Sequence, residues 1–419
     1  MKREVQKLAM RNAHRGHREK NMMKRAVLLF GAGASVEYKA PSTAAITAEI
    51  EQQVMADDWM KACGGDTAYQ AIKNRLQSYL LRPDDVNFEQ IYHCAHELSY
   101  SFPHTEGAMN EFRPLLPAFT TLTEPLDARA LRALCGKITD VIYSQFSAAC
   151  DGNPLSLAPL SAFIEKIRRT HVTRIYTTNY DDFILQAAPD LYTGFANVAA
   201  AGPQQFELRK FWERSDDASV FYLHGSVHLG FPHPMPQGSE IGDLFWFHAR
   251  DEARKHARFD GSDVSRMDGT QIMRTSVLTG LDKLSRLQQR PMSHYYAGLA
   301  ADLMRADIIY VIGSGLTDLH LNSWLHEARS LSPAVPLLFV DYWNGHFLEA
   351  TAFDAHRKEI LLFHELRVHA KGPYDGVRVG EHWTLSPDGM SAIWDNGFQS
   401  FLAAQDELDD VLVRLKCKT

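Results

Sequence analysis

Cysteine is scarce in this chain: five residues in 419, and no C-x-x-C pair. Cys63, Cys94, Cys135, Cys150 and Cys417 are scattered and odd in number. That pattern argues against a disulfide framework and against a structural zinc site. Long apolar runs are also missing, so no membrane-spanning helix is expected. The N-terminus is basic, but no apolar segment follows it, so it does not read as a secretory signal. The expectation is a cytoplasmic protein with reduced thiols. Internal repeats and low-complexity tracts are absent too. With 45% hydrophobic and 23% charged residues, the composition is that of an ordinary globular chain.

The net charge of −7 hides an asymmetry. Residues 1–25 hold nine Lys or Arg against Glu4 and Glu19, a charge of +7, which leaves −14 for the rest. This basic arm reads either as a solvated tail or as a segment that docks on an acidic neighbour. It contains no aromatic residue, so direct nucleic-acid binding is not expected.

What is present is a series of short apolar runs, each ending in glycine or polar residues. They are "AVLLFGAGAS" (26–35), "RIYTTNYD" (174–181), "VFYLHGS" (220–226), "DIIYVIGSGLTD" (307–318) and "PLLFVDYW" (336–343). Near-continuous apolarity suits strands buried on both faces of a parallel sheet. Helical stretches lie between them, at 43–54, 87–98, 129–146, 156–170, 295–306 and 319–330. The alternation predicts an α/β fold with a Rossmann-like, doubly wound parallel sheet. A helical insertion lobe is expected at about 45–150, and a turn-rich loop or lid at about 231–270. The main domain is expected to span 26–345, with a small C-terminal region over 346–419 that ends in a helix at 398–415.

In such a sheet, ligands bind outside the carboxyl ends of the strands. The unusual polar groups all fall at that edge. Strand one ends in Gly31-Ala32-Gly33-Ala34-Ser35, glycines that would let backbone approach a diphosphate. A tight turn without a ligand would look the same, because Val36 stands where a third glycine of G-x-G-x-x-G belongs. Strand two ends in Thr178-Asn179-Tyr180-Asp181, where one residue would suffice as a helix cap. Strand three ends in His224-Gly225-Ser226. His228 lies four residues on, but no third ligand is evident and no metal is expected. Strand four ends in Gly313-Ser314-Gly315 with Asp318 just after. Strand five ends at Asp341, which could hold ribose hydroxyls or simply turn the chain.

"GAGAS", "TTNYD", "HGS" and "GSGLTD", in that order, resemble the sirtuin-like domains of bacterial defence proteins. "NFEQI" in the helical block and "TSVLTGLDKL" (275–284) are similar to the same group. The resemblance covers roughly residues 26–345. It implies NAD+ as substrate, lying across the strand ends, with Asn179 and His224 beside the nicotinamide–ribose bond. Gly31, Ala32, Gly33 and Ser35 would cradle the diphosphate, Asp181 would help hold the nicotinamide end, and Thr178 would also bind the cofactor. Gly313, Ser314 and Asp341 would lie toward the adenosine side, and Gly315 and Asp318 would also bind the cofactor. Deacylating sirtuins carry a four-cysteine zinc module, which this chain lacks.

The resemblance therefore implies an NAD+ hydrolase that depletes NAD+ during phage infection. A homo-oligomer is implied, and a HerA-type hexameric ATPase is a candidate partner. The chemistry suits these residues. Asn can orient a water or a ribose hydroxyl, and a His near neutral pKa can take a proton. The alternatives are an NAD-dependent deacylase or ADP-ribosyltransferase, a non-catalytic nucleotide-binding subunit, and a hydride-transferring enzyme.

Overall fold

The computed structural model describes residues 23–80, 83–99, 126–232, 243–265, 271–281, 283, 290–343, 377–386 and 388–415. Nearly all of the basic arm lies outside these residues.

Three strands open the main sheet: β1 (Lys24–Phe30), β2 (His171–Thr177) and β3 (Ser219–Tyr222). Two small antiparallel pairs follow, β4 (Leu229–Gly230) with β5 (Phe245–Trp246) and β6 (Arg258–Ser265) with β7 (Gln271–Thr275). The main sheet resumes with β8 (Ile308–Ile312) and β9 (Leu337–Val340). It closes with β10 (Val377–Val379), β11 (Trp383–Leu385) and β12 (Ser391–Trp394).

The eight-stranded sheet runs β10-β11-β12-β9-β8-β1-β2-β3. From β3 to β12 every pairing is parallel. Numbered along the chain, those six strands stand in the order 3-2-1-4-5-6 of a doubly wound dinucleotide-binding sheet. The strand order reverses between β1 and β8, and that is where a ligand crevice is expected. Every residue of β8 and of β9 is buried, so both faces of the sheet are covered. The C-terminal segment supplies β12 as the sixth parallel strand, with β10 and β11 as an antiparallel edge. It thus continues the central sheet.

Seven α-helices separate β1 from β2 among the described residues: α1 (Ala32–Val36), α2 (Thr43–Ala56), α3 (Asp58–Cys63), α4 (Gly65–Tyr79), α5 (Phe88–Ser99), α6 (Ala128–Asp151) and α7 (Ala158–Arg168), the last leading into β2. Local sequence sets several starts. Ser42 caps α2 by accepting from Ala45 N at 3.2 Å, and Asp57 caps α3 by accepting from Trp59 N at 2.9 Å. Leu131, Leu134, Ile138, Val141 and Ile142 recur at helical spacing along α6 and are all fully buried.

Short helices α8 (Phe183–Ala187), α9 (Leu208–Glu213) and α10 (Arg250–Lys255) serve the connections after β2. Longer helices α11 (Met292–Leu303) and α12 (Leu319–Leu331) flank β8. The helix expected at 398–415 is two helices, α13 (Phe398–Ala403) and α14 (Gln405–Arg414). Part of the stretch expected as a loop or lid is described. It holds β5, α10 and β6, so it carries regular structure of its own; 233–242 and 266–270 lie outside the described residues.

One carboxylate cross-links β1, β2 and α11. Asp302 accepts from Arg25, from Arg174 Nε at 2.7 Å and from Tyr176 Oη at 2.6 Å. Both guanidiniums and the carboxylate are buried.

Candidate active site

The turns that follow β1 and β8 meet at the switch point. Gly31 N donates to Ile312 O and Gly33 N to Gly313 O, both at 2.8 Å. A Cβ on Gly31 would lie 2.7 Å from Gly313 O, and one on Gly313 would lie 2.1 Å from Ala34 N. Gly313 also has φ of +61°. These glycines are therefore required by backbone packing of one turn on the other. Part of the anion cradle expected at 31–35 is engaged in that contact. Gly315 is different, since a Cβ there would meet only Thr317 Cγ2 at 3.6 Å.

Asn179 stands just beyond β2, buried. Its Nδ2 donates to Gly31 O at 2.9 Å and to Ser35 Oγ at 2.7 Å. A backbone carbonyl can only accept, so the amide must turn its NH₂ toward Gly31. Both N–H groups are thereby spent on locking β2 to the first turn, and Oδ1 is left for the cavity. This explains an Asn at a strand exit: a carboxylate could not donate, and an apolar side chain could do neither job.

His224 lies just past β3, with Gly225 (φ +96°) allowing the Ser276–Leu278 segment to pass closely. A Cβ on Gly225 would sit 2.5 Å from Ser276 O. The imidazole is 3% exposed, and its Nε2 has no hydrogen-bond partner. Burial pushes its pKa down to about 3, the Lys283 charge adds to this, and Asp318 opposes it. The ring is neutral at pH 7.

Asp318 is the residue before α12. Its Oδ2 lies 3.8 Å from His224 Nε2, and its Oδ1 accepts from Lys283 Nζ at 3.0 Å. Burial alone would raise this carboxyl, but His224 and Lys283 outweigh burial and hold it at about 2. Lys283 also pairs with Glu89 Oε1 at 3.2 Å. Burial would lower the Lys283 pKa, and the two carboxylates more than reverse that. Burial raises Glu89, against the pull of Lys283. Glu89 and Lys283 are site residues that reading the sequence did not single out. They sit inside "NFEQI" and "TSVLTGLDKL", so the motifs were visible and their pairing was not.

These groups surround a cavity of about 240 Å³. Gly31, Ala32, Ser35, Thr178, Asn179, His224, Ser314, Gly315 and Asp318 line it. Apolar wall comes from Ile46 and Phe88 in the helical lobe and from Phe146 of α6. Gly33 and Gly313 lie behind, in the turn contact.

Two expected carboxylates do not line the cavity. Asp181 is buried beneath Ser35, its Oδ2 without a partner, and burial pushes its pKa up to about 6. Asp341 lies between the ends of β9 and β12, where its N donates to Trp394 O at 3.1 Å and its O accepts from Gly397 N at 2.9 Å. Asp341 follows β9, and β8 stands between β9 and β1 in the sheet.

His228 is held elsewhere as well. Its Nε2 pairs with Asp182 at 2.8 Å, its Nδ1 with Phe247 O at 2.9 Å, and the ring stacks on Trp246. It forms no pair with His224. Asp182, which also takes Arg250 Nη2 at 2.7 Å, is held well below the usual carboxylate range: burial would raise it, and His228 and Arg250 prevail.

Fold and site together define a doubly wound α/β domain with a polar crevice at its switch point. Residues 173–359 match a family described as the SIR2-like domain. The match covers most of β2 and all of β3, β8 and β9, and with them Asn179, His224 and Asp318. No curated protein matches the chain.

Among solved structures, a Sir2 homologue complexed with ADP-ribose is 14% identical over 76% of this chain and 80% of its own, with a TM-score of 0.34. A Sir2 homologue–NAD complex is 12% identical over 82% and 90%, also at 0.34. Sir2Tm bound to a propionylated peptide is 11% identical over 77% and 83%, again at 0.34. At such scores the likeness carries no argument about ligands, and the fold stands on the strand order. No described helix is long and apolar enough to cross a membrane.

Proposed function

We propose that the chain is an NAD+ hydrolase, which splits NAD+ into nicotinamide and ADP-ribose. One observation carries the reading: Asn179, whose amide NH₂ is held by the first turn, and His224, whose buried Nε2 has no partner, line the same cavity at the switch point.

Breaking the bond between nicotinamide and ribose builds positive charge on the anomeric carbon, as in glycoside hydrolysis. Nicotinamide leaves as a neutral molecule and needs no acid. Asn179 Oδ1 would accept from a ribose hydroxyl or from the attacking water and so fix its position. As water bonds to the anomeric carbon, its proton would pass to His224 Nε2, and the Asp318 carboxylate beside the ring would stabilise the imidazolium. The carboxylates of Asp318 and Glu89 favour the developing cation.

The cavity is smaller than pockets that enclose a whole drug-sized ligand, about 300–1,000 Å³. It suits the nicotinamide-ribose end, with the rest of the dinucleotide leading out past Gly315. The test is nicotinamide release from NAD+ by the wild type and by His224→Ala. General-base loss should cost about 10²–10⁴ in rate. An unimpaired variant would remove His224 from the reaction.

The wider role follows from the motif resemblance. The enzyme is proposed to act in the cytoplasm as an NAD-depleting effector in anti-phage defence. Such an activity must be silent until needed. Homo-oligomerisation or a HerA-type ATPase is proposed as the control, with the basic N-terminal arm as a docking element.

A further inference from the structure

We propose that this same crevice binds a divalent transition-metal ion of the zinc class through His224, Asp318 and His320, and that the ion holds the enzyme off. The inhibitory part rests on the hydrolase reading; the metal site itself does not.

Each of the three residues offers one ligand atom, and these atoms lie within 4.8 Å of one another. Two are imidazole nitrogens and one is a carboxylate oxygen. Imidazole selects zinc, copper, iron or nickel, whereas magnesium and calcium want oxygen. No metal is expected from the sequence, because the His224 and His228 pair shows no third ligand along the chain; in the structure His228 is held by Asp182 and Phe247 instead. The third ligand comes instead from α12, two residues past Asp318, which spacing along the chain from His224 could not suggest.

The second observation is the state of His224. Its Nε2 is buried, has no partner, and faces Asp318 Oδ2 at 3.8 Å. Bond lengths of about 2.0–2.2 Å put the ligand atoms of a tetrahedral zinc roughly 3.3–3.5 Å apart, so binding needs a closure of about half an ångström on that side.

Lys283 looks at first like an obstacle. It occupies Oδ1 of Asp318, however, and so aims Oδ2 at His224, as outer partners of metal-binding carboxylates do. Glu89 offsets its charge at 3.2 Å, which leaves the Asp318 charge for the ion. His320 is steadied by Tyr296, whose hydroxyl lies 3.2 Å from its Nε2.

An ion bound here takes the lone pair of His224 Nε2. That is the lone pair the hydrolase reading needs for the proton of water. Occupancy therefore means no turnover, and removal of the metal restores the base.

The test uses the full-length chain, stripped with a chelator and titrated with Zn²⁺ against a chromophoric competitor. Wild type should bind one Zn²⁺ per chain. His320→Ala should bind at least about 10–100-fold more weakly, the loss typical even of an outer-shell partner. His320→Gln serves as the second variant, with circular dichroism to show that each is folded. Mg²⁺ should not compete. In parallel, Zn²⁺ should suppress nicotinamide release by wild type and affect the His320 variants far less.

Equal zinc binding by wild type and the folded variants, or none by wild type, would overturn the site. Zinc binding as expected without NAD+ cleavage under any condition would leave the site standing and remove the hydrolase reading. Zinc-insensitive NAD+ cleavage would leave the hydrolase reading standing and remove the inhibitory role of the ion.

Discussion

The Lys283 ammonium lies 3.0 Å from one oxygen of Asp318, and this contact fixes the carboxylate that faces His224 at 3.8 Å. Lys283 also presses down the imidazole pKa, second only to burial. Loss of its charge should raise His224 from about 3 toward its ordinary value. A general base works only while neutral, so activity fails below its pKa. Lys283→Met should therefore move the acid limb of the rate profile to higher pH. Rates measured across pH 3–8 check this, and an unmoved limb would mean that Lys283 does not act on His224.

Asp181 gives a stability prediction with a definite sign. Its folded pKa is raised to about 6, above the ordinary carboxylate value, because the group is buried. The folded state thus holds the proton more tightly, and stability falls as pH rises from about 4 to 6. Asp181→Asn should match wild type near pH 4 and exceed it above pH 7, by about 2–3 kcal/mol at most. Thermal melts at the two pH values read the difference. A variant less stable at high pH would show that the charged carboxylate has a favourable partner.

The glycines of the two turns should separate into structural and ligand-facing. Gly313→Ala meets Ala34 N at 2.1 Å with a positive φ, so it should cost more than the ~1–3 kcal/mol of a strained backbone alone. Gly315→Ala has room and should melt like wild type. If the dinucleotide passes over Gly315, its KM should rise with folding intact. Equal melting temperatures for both variants would contradict the turn-on-turn packing.

Asp302→Ala removes the carboxylate that two buried guanidiniums share, leaving Arg25 with Asp216 at 2.7 Å. Breaking a buried pair costs about 3–5 kcal/mol. Urea unfolding should report a loss of that order, whereas a loss below about 1 kcal/mol would mean that water replaces the carboxylate.

Much of this geometry was legible because a parallel sheet writes itself as apolar runs that end in polar turns. Gly31, Asn179, His224 and Gly313 each close such a run, and strand order brings those ends together. β12 was not legible. "SAIW" is four residues among Gly, Pro and Trp punctuation, too short for periodicity to mark. Glu89 and Lys283 were hidden for another reason: an ion pair between a helical lobe and a distant loop has no signature along the chain. Asp341 closes such a run too, but its position beside β12 rather than at the cavity depends on strand order, which acidity at a strand end does not reveal. The glycines were read chiefly as room for a ligand, yet three of them make room for each other.

The measurement that bears most directly on the central claim is nicotinamide release from NAD+ by wild type and Asn179→Ala, with NAD+ binding followed separately. The account predicts release by wild type, alone or in its active assembly, and almost none by the variant, which still binds NAD+. Equal release by Asn179→Ala, or a wild type that binds NAD+ and never cleaves it, would contradict the account.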